Sequence, residues 1–504
     1  MANLSGKPIS FWLDSTAETS FPPIESVTVD VAIVGAGIAG ITAAYLLKKS
    51  GKTVALVEAE QVAASASGHT TAKVTSLHQL IYSELIDRHG EEKARLYGES
   101  NQAGVEFVAA TVEQEGIDCD FQRNETYSFA ESQDNFKKIK QEYEAAIKLG
   151  LPAELVTETT LPFEIAGAVK FNNQAQFHVR KYLLHLVNTI PGDGSYVFEN
   201  SRVQTVEEGT PCKVFANDTT LQATDILLTT HLPIVDTGLF FAKSYPQRSY
   251  IVGAKINPEK APQGMYIGVG KNYHSIRTTP TEDGGLLLLI GGGGHKVGAK
   301  SNTEESYQEL EKYAHSHFGI DKIDYRWSSQ DYESFDKLPY IGKLTPANDH
   351  IYLATGFSLW GMSKGTMAGI LLTDLVQGKA NPWADLYDSL RATPFVTKES
   401  IKNNLEVGIH WVGDRLKGLK NWSVDDVKPG EGELATIDGK TVGVYKDEAG
   451  KVTAVSATCP HLGCIVNWNS AEKSWDCPCH GGRFTCQGKV IQGPAVKDLE
   501  LKTL

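Results

Sequence analysis

Residues 27–60 read VTVDVAIVGAGIAGITAAYLLKKSGKTVALVEAE. Val29 to Val34 is a near-continuous apolar, β-branched run, the texture of a strand buried on both faces. Ile38 to Ser50 carries apolar residues at helical spacing and stops at Gly51. Thr53 to Val57 is a second strand, closed by Glu58. The stretch therefore predicts a βαβ unit. Gly35, Gly37 and Gly40 form G-x-G-x-x-G between its first strand and its helix. Gly35 permits a tight turn, Gly37 lets backbone approach a pyrophosphate, and Gly40 lets helix and strand pack closely. The helix N-terminus offers free N–H groups and partial positive charge to phosphates. Glu58 stands where a carboxylate accepts from a ribose hydroxyl, and Glu rather than Arg there disfavours a 2′-phosphate. Strand, helix, second strand and acid in register point to a dinucleotide cradle rather than a structural glycine turn.

Two other glycine groups fail the same pattern. IGGGGHKVG has Lys296 where the third glycine should fall, and GVGKNY has Tyr273 there. Both are expected as turns in a second layer. One dinucleotide fold, not two, disfavours NADH as a direct donor.

Working outward, residues 1–26 are polar and proline-containing, and read as an irregular arm. Residues from 80 to 350 mix helical and strand patterns, such as FKKIKQEYEAAIKLG and GGLLLLIGG. The parallel-strand texture returns at IYLATG, followed by a glycine-containing turn and the helical pattern of Lys364 to Val376. Between 398 and 420, Ile401, Leu405, Ile409, Val412, Leu416 and Leu419 recur on one helical face, which predicts a connecting helix docked on the main body. Beyond Asp425, GELATIDGKTVGVYKDEAGKVTAVSATC has short β-type runs broken by Asp-Gly and Ala-Gly turns, hence a small all-β domain.

The chain has 504 residues, about 3.4 domain-sized units. Its 48 basic and 61 acidic residues leave a net charge of −13, which argues against a nucleic-acid footprint and against docking on anionic lipid. No apolar run reaches the roughly eighteen residues of a membrane span, and MANLSGKPISFWLDS lacks the pattern of a secretory signal. A cytoplasmic protein is expected. Of seven cysteines, Cys459, Cys464, Cys477, Cys479 and Cys486 crowd into the last tenth of the chain, and Cys119 and Cys212 stand apart. A local cluster of this kind reads first as a metal site.

CPHLGC (459–464) and CPCHGGRF (477–484) contain Cys459-x-His461 and Cys477-x-x-His480. Two thiolates and two imidazoles on two hairpin tips suit a Rieske [2Fe–2S] cluster, with Cys459 and Cys477 on one iron and His461 and His480 on the other. Cys₂His₂ is also a zinc set. Against zinc, Cys464 and Cys479 sit one at each loop, and GKVIQGPAVKDL (488–499) resembles the proline-containing loop that covers Rieske clusters. Residues 422–504 are thus similar to Rieske domains. Cys464 and Cys479 resemble the disulfide of Rieske proteins in quinol-oxidising complexes, the alternative being two free thiols. High-potential members carry a serine and a tyrosine after the second histidine, both donating to sulfur. Here Gly482 and Phe484 stand there, which implies a lower potential.

The βαβ stretch, the following AASASGHTTAK (63–73), and the late IYLATGFSLWGMSKGTMAGILLTDLVQG (351–378) with NPWADLYD resemble the D-amino-acid oxidase and glycine/sarcosine oxidase superfamily of FAD enzymes. The resemblance implies an α/β FAD-binding, Rossmann-type fold with an inserted α+β substrate domain, ahead of the all-β Rieske domain. The FAD-dependent oxidoreductase domain would span 27–395, with FAD-binding parts near 27–80, 190–235 and 340–395, and a linker at 396–421. On this match Ser65, Ser67, Gly68, His69 and Thr70 lie beside pyrophosphate and flavin, and Val203 meets the adenine through its backbone. Gly356, Gly361, Met362 and Ser363 precede or open a helix aimed at the flavin pyrimidine. Some dehydrogenases of the superfamily attach FAD through a histidine in this loop, so His69 stands as either an attachment point or a polar loop residue.

The resemblance further implies oxidation of an amine or amino acid, a small-molecule substrate, by hydride transfer to flavin. Electrons would then pass singly through the cluster to an external acceptor. An electron-transfer module or redox sensor, reduced by a partner protein, is the rival reading. Substrate carboxylates are often fixed by Arg and Tyr in this superfamily, which nominates Arg277 and Tyr250, with Tyr273, His274, His295 and Trp327 behind them.

Overall fold

The computed structural model describes residues 4–300, 302–392, 400–402, 404, 426–437 and 439–503. The expected connecting helix over 398–420 falls almost wholly outside them.

The strand Thr28–Val34 lies at the centre of the first sheet because its side chains are apolar on both faces. It pairs in parallel with Thr219–Leu228 on one side and Val54–Val57 on the other. The order continues outward to Ile351–Thr355 and Tyr340–Lys343 at one edge and Tyr196–Phe198 at the other. The helix Ile38–Lys49 packs against Gly361–Val376, where a Cβ on Gly369 would come within 2.7 Å of Thr42. The first βαβ unit and the last βα unit are thereby brought together, although some 300 residues separate them.

The second sheet is antiparallel for most of its width. Its order runs Tyr325–Ser334, Ser244–Ile256, Leu286–Lys296, Ser275–Pro280, Met265–Gly268, Gln122–Ala130, Gly167–Gln176 and Lys73–Val74. IGGGGHKVG does not form the turn its glycines suggest. Gly291 to Gly294 belong to the strand Leu286–Lys296, with Gly291 opposite Ile251 and Gly292 opposite Tyr250. Absent side chains here serve close approach, since a Cβ on Gly292 would meet the Tyr273 carbonyl oxygen at 3.0 Å.

The N-terminal arm is more anchored than its polarity suggests. Phe11–Asp14 is one helical turn, and Trp12 is fully buried with its indole N–H donating to the Thr70 carbonyl at 2.7 Å. The C-terminal part is two four-stranded antiparallel sheets. One joins Glu431–Ile437, Lys440–Lys446, Val452–Ser456 and Leu501–Lys502; the other joins Asn467–Asn469, Ser474–Asp476, Arg483–Thr485 and Val490–Gln492. No helix among the described residues is long and apolar enough to cross a membrane.

Candidate functional site

Gly35 has φ +102°, and its N–H donates to the Val57 carbonyl, so the chain turns sharply off the first strand. A Cβ there would lie 2.7 Å from the Thr229 carbonyl oxygen. A Cβ on Gly40 would overlap the Gly35 carbonyl oxygen, so helix and turn touch only because both positions are glycine. Ser67 Oγ accepts from Ile38 N–H at 3.0 Å and caps the helix start. Glu58 accepts from the backbone N–H of Ala36, Ala59 and Glu60, while burial pushes its carboxyl upward.

These groups open onto a cavity of about 440 Å³. Gly35, Gly37, Glu58, Ser65, Ser67, His69, Thr70, Val203, Gly361 and Met362 all line it. Gly40, Gly68, Gly356 and Ser363 do not; they act through packing or hydrogen bonds. A Cβ on Gly68 would come within 2.5 Å of the Ala63 carbonyl oxygen, and Ser363 Oγ lies 3.0 Å from His78 Nε2. His69 Nδ1 meets the Ser65 carbonyl at 2.9 Å, and burial lowers its pKa, which favours the neutral ring.

The nominated substrate residues are placed differently. Arg277 does not line the cavity. Its guanidinium donates through Nε and Nη1 to the carbonyls of Thr71, Ala72, Phe177 and Thr278, which ties it to backbone. Tyr250 is also turned away. Along the strand Ser244–Ile256, Ser249 and Ile251 face the cavity, and the two-residue period sends Tyr250 to the opposite face. There its hydroxyl meets His295 Nε2 at 3.1 Å. His274 stacks on Tyr313, and Trp327 donates to the His69 carbonyl. Only Tyr273 of this group borders the cavity, and burial raises its phenol to about 12, so it remains a donor.

The sequence reading missed Lys73, which lines the cavity from the edge strand Lys73–Val74 of the second sheet. Its ammonium donates to the Tyr266 carbonyl and to Ser275 Oγ. Burial, with Arg277 nearby, lowers its pKa to about 7.

The C-terminal hairpin tips carry the second centre. The Cys459 and Cys477 thiols are buried and in hydrogen-bond contact. The His461 and His480 rings lie 5.0 Å apart. His461 Nδ1 is buried without a hydrogen-bond partner, while Nε2 of the same ring meets Asp236 Oδ1 at 2.7 Å. Burial lowers the His480 pKa to about 3, favouring the neutral imidazole that a metal requires. Two buried thiols and two imidazoles, one with a buried, unpartnered nitrogen, fit a [2Fe–2S] group. Cys464 and Cys479 form a disulfide linking the two tips. Cys477 lies close to that bridge, but its two sulfurs, already bonded, offer no thiolate.

The two centres share walls. Glu472, Arg483, Gln492 and Val496 from the C-terminal domain line the cavity beside the glycine cradle. Asp476 pairs with Arg248 at 3.2 Å and with Arg483 at 3.2 Å, and although burial opposes it, these cations hold the carboxyl down to about 2. Tyr332 donates to the His480 carbonyl at 2.8 Å, and Gln330, which borders the cavity, donates to the Gly481 carbonyl at 2.8 Å. A Cβ on Gly481 would come within 2.6 Å of Gln330 and of Pro246.

The FAD dependent oxidoreductase family, DAO, matches residues 30–375. The chain belongs to that family. The Rieske [2Fe-2S] domain matches residues 419–503, so the polypeptide joins an FAD oxidoreductase to a C-terminal Rieske domain, with FAD and a [2Fe–2S] cluster as its cofactors. Over 498 residues it is 38% identical to YhfW of Bacillus subtilis (strain 168), whose name places it among Rieske 2Fe-2S iron-sulfur proteins; 98% of this chain and 97% of that protein are covered. It is 23% identical over 406 residues to gamma-glutamylputrescine oxidoreductase of Escherichia coli (strain K12), covering 74% of this chain and 88% of the other. Among solved structures, glycine oxidase from Geobacillus kaustophilus superposes with TM-score 0.61 at 19% identity, covering 73% of this chain and 99% of that one. That likeness shows the fold.

Proposed function

We propose that this chain oxidises an amine or amino acid and passes the electrons through its cluster to an external acceptor. Bound FAD supplies a two-electron hydride acceptor, and the cluster supplies a one-electron exit. The observation that carries the reading is the shared wall. One cavity is bordered by the glycine cradle, by the antiparallel sheet and by the cluster-bearing domain.

In this reading Gly35, Gly37, Gly40, Glu58, Ser67, Gly68, His69, Thr70, Val203, Gly356, Gly361, Met362 and Ser363 hold or support FAD. Cys459, His461, Cys477 and His480 hold the cluster. Tyr273 and Lys73 are polar groups of the substrate chamber. Tyr273 offers a hydroxyl donor, and Lys73, held between Tyr266 and Ser275, offers a positioned ammonium to a substrate anion. The resemblance to gamma-glutamylputrescine oxidoreductase and the glycine oxidase fold support a C–N substrate.

The test is an anaerobic panel of amines and amino acids, read at flavin and iron–sulfur wavelengths. A substrate should bleach the flavin first and then the cluster, each substrate supplying two electrons and the fully reduced chain holding three, two on FAD and one on the cluster. Bleaching by a partner reductase alone, with no amine effective, refutes the proposal and makes the chain an electron-transfer module.

A further inference from the structure

We infer that Asp236, a residue of the oxidoreductase domain, is a positioning residue for the Rieske cluster: it clamps His461 across the domain boundary and sets the cluster's potential. The observation is the split use of one imidazole. His461 Nε2 meets Asp236 Oδ1 at 2.7 Å, and Nδ1 is buried and unpartnered. A ring that donates one N–H to a carboxylate has its tautomer fixed and its other nitrogen made a stronger ligand.

The contact is local but its surroundings are built for it. Asp236 opens a short 3-10 turn, Asp236–Gly238, that leads into Phe240–Lys243. Phe241 on this second turn meets both imidazoles edge-on, with centroids 5.6 Å from His461 and 5.0 Å from His480. The His461 side chain is only 6% exposed, so little water competes on its side of the bond. Asp236 itself is 43% exposed, which screens its charge and moderates the expected effect. The same strand-and-turn wall adds Tyr332 on the His480 carbonyl and Gln330 on the Gly481 carbonyl. One domain thus grips both histidine tips of the other.

An anionic acceptor beside a ligand imidazole stabilises the more positive, oxidised cluster and lowers its midpoint. Asp236→Asn keeps the shape and an acceptor oxygen but removes the charge. The inference rests on His461 being a cluster ligand, so the assay reports cluster and potential separately. Holoprotein is titrated with dithionite and mediators, with electron paramagnetic resonance detecting the reduced cluster. Asp236→Asn should shift the oxidised/reduced ratio at fixed potential toward reduced by about tenfold, an upward midpoint shift of about 59 mV for one electron. Asp236→Glu, which restores the charge, should return the ratio to within about threefold of wild type. If Asp236→Asn does not retain a cluster, Asp236→Ser is titrated against the same threshold. An intact signal with a shift under about threefold, or downward, overturns the assignment of Asp236. A wild-type protein that binds no iron overturns this inference and the ligand assignment together.

Discussion

Replacing Gly482 by serine should raise the cluster midpoint, and the structure sets the size. A Cβ at Gly482 would lie 3.7 Å from Cys459 Sγ, an ordinary van der Waals distance, and 3.7 Å from the Phe484 ring. Gly482 is not among the positive-φ residues, so a side chain there brings no backbone strain. A serine hydroxyl, one bond beyond that Cβ, reaches hydrogen-bond range of the sulfur. Donation to a ligand sulfur stabilises the reduced, more negative state. One neutral hydrogen bond is worth about 1 kcal/mol net. With a tenfold change equal to about 1.4 kcal/mol and about 59 mV for one electron, the shift is about 40 mV upward. Gly482→Ala supplies the same Cβ without a donor and controls for packing. The assay is a redox titration of the purified holoprotein followed by visible circular dichroism. If Gly482→Ser and Gly482→Ala have the same midpoint, the missing donor is not what sets the potential, and the expectation of a low-potential cluster loses its basis.

Other perturbations follow from packing and burial. Gly40→Ala drives a methyl group into the Gly35 carbonyl oxygen and to 2.7 Å from Thr229 Oγ1, so it should cost about 1–3 kcal/mol and lose FAD on gel filtration. Gly37→Ala meets only Ser67 Oγ at 3.2 Å and should fold with FAD affinity reduced; equal stability of the two variants contradicts the packing argument. Lys73 has its pKa lowered by burial to about 7, whereas the unfolded chain keeps that proton to about 10.4. Between those values the unfolded state binds more protons, so burying Lys73 costs most at or below pH 7 and less as pH rises. Melting curves of apoprotein should therefore show Lys73→Met gaining stability over wild type near neutral pH, with the gain shrinking toward pH 10; a gain that grows with pH contradicts this. The Cys464–Cys479 bridge closes a loop of sequence separation 15, worth about 3 kcal/mol by chain entropy. Alkylation without reductant should leave both residues unmodified in the mass spectrum, and the double serine variant should melt earlier.

The glycine cradle and the two Cys–His pairs proposed as cluster ligands could be picked out in the sequence because their geometry is local. Gly35, Gly37 and Gly40 act within one turn, and each Cys–His pair lies on one hairpin tip. Tyr250 was misplaced because a strand residue's face depends on register, and Arg277, on the same face as cavity-lining Ser275, because its guanidinium is taken up by backbone carbonyls. Moving one position along the chain, from Tyr250 to Ser249 or Ile251, changes a buried packing residue into a cavity residue. IGGGGHKVG misled for a related reason, since glycine lets a strand approach its neighbours as readily as it lets a chain turn. Lys73 was unremarkable in sequence, as lysines are mostly exposed; only its place in the second sheet, against Tyr266 and Ser275, shows that it is buried. Asp236 lies 225 positions from His461, and no spacing rule links such residues.

The cavity beside the glycine cradle borrows part of its wall from Glu472, Arg483, Gln492 and Val496 of the Rieske domain. Neither pigment thus has a private room. With FAD in this cavity as proposed, any movement of that wall also opens the flavin to water.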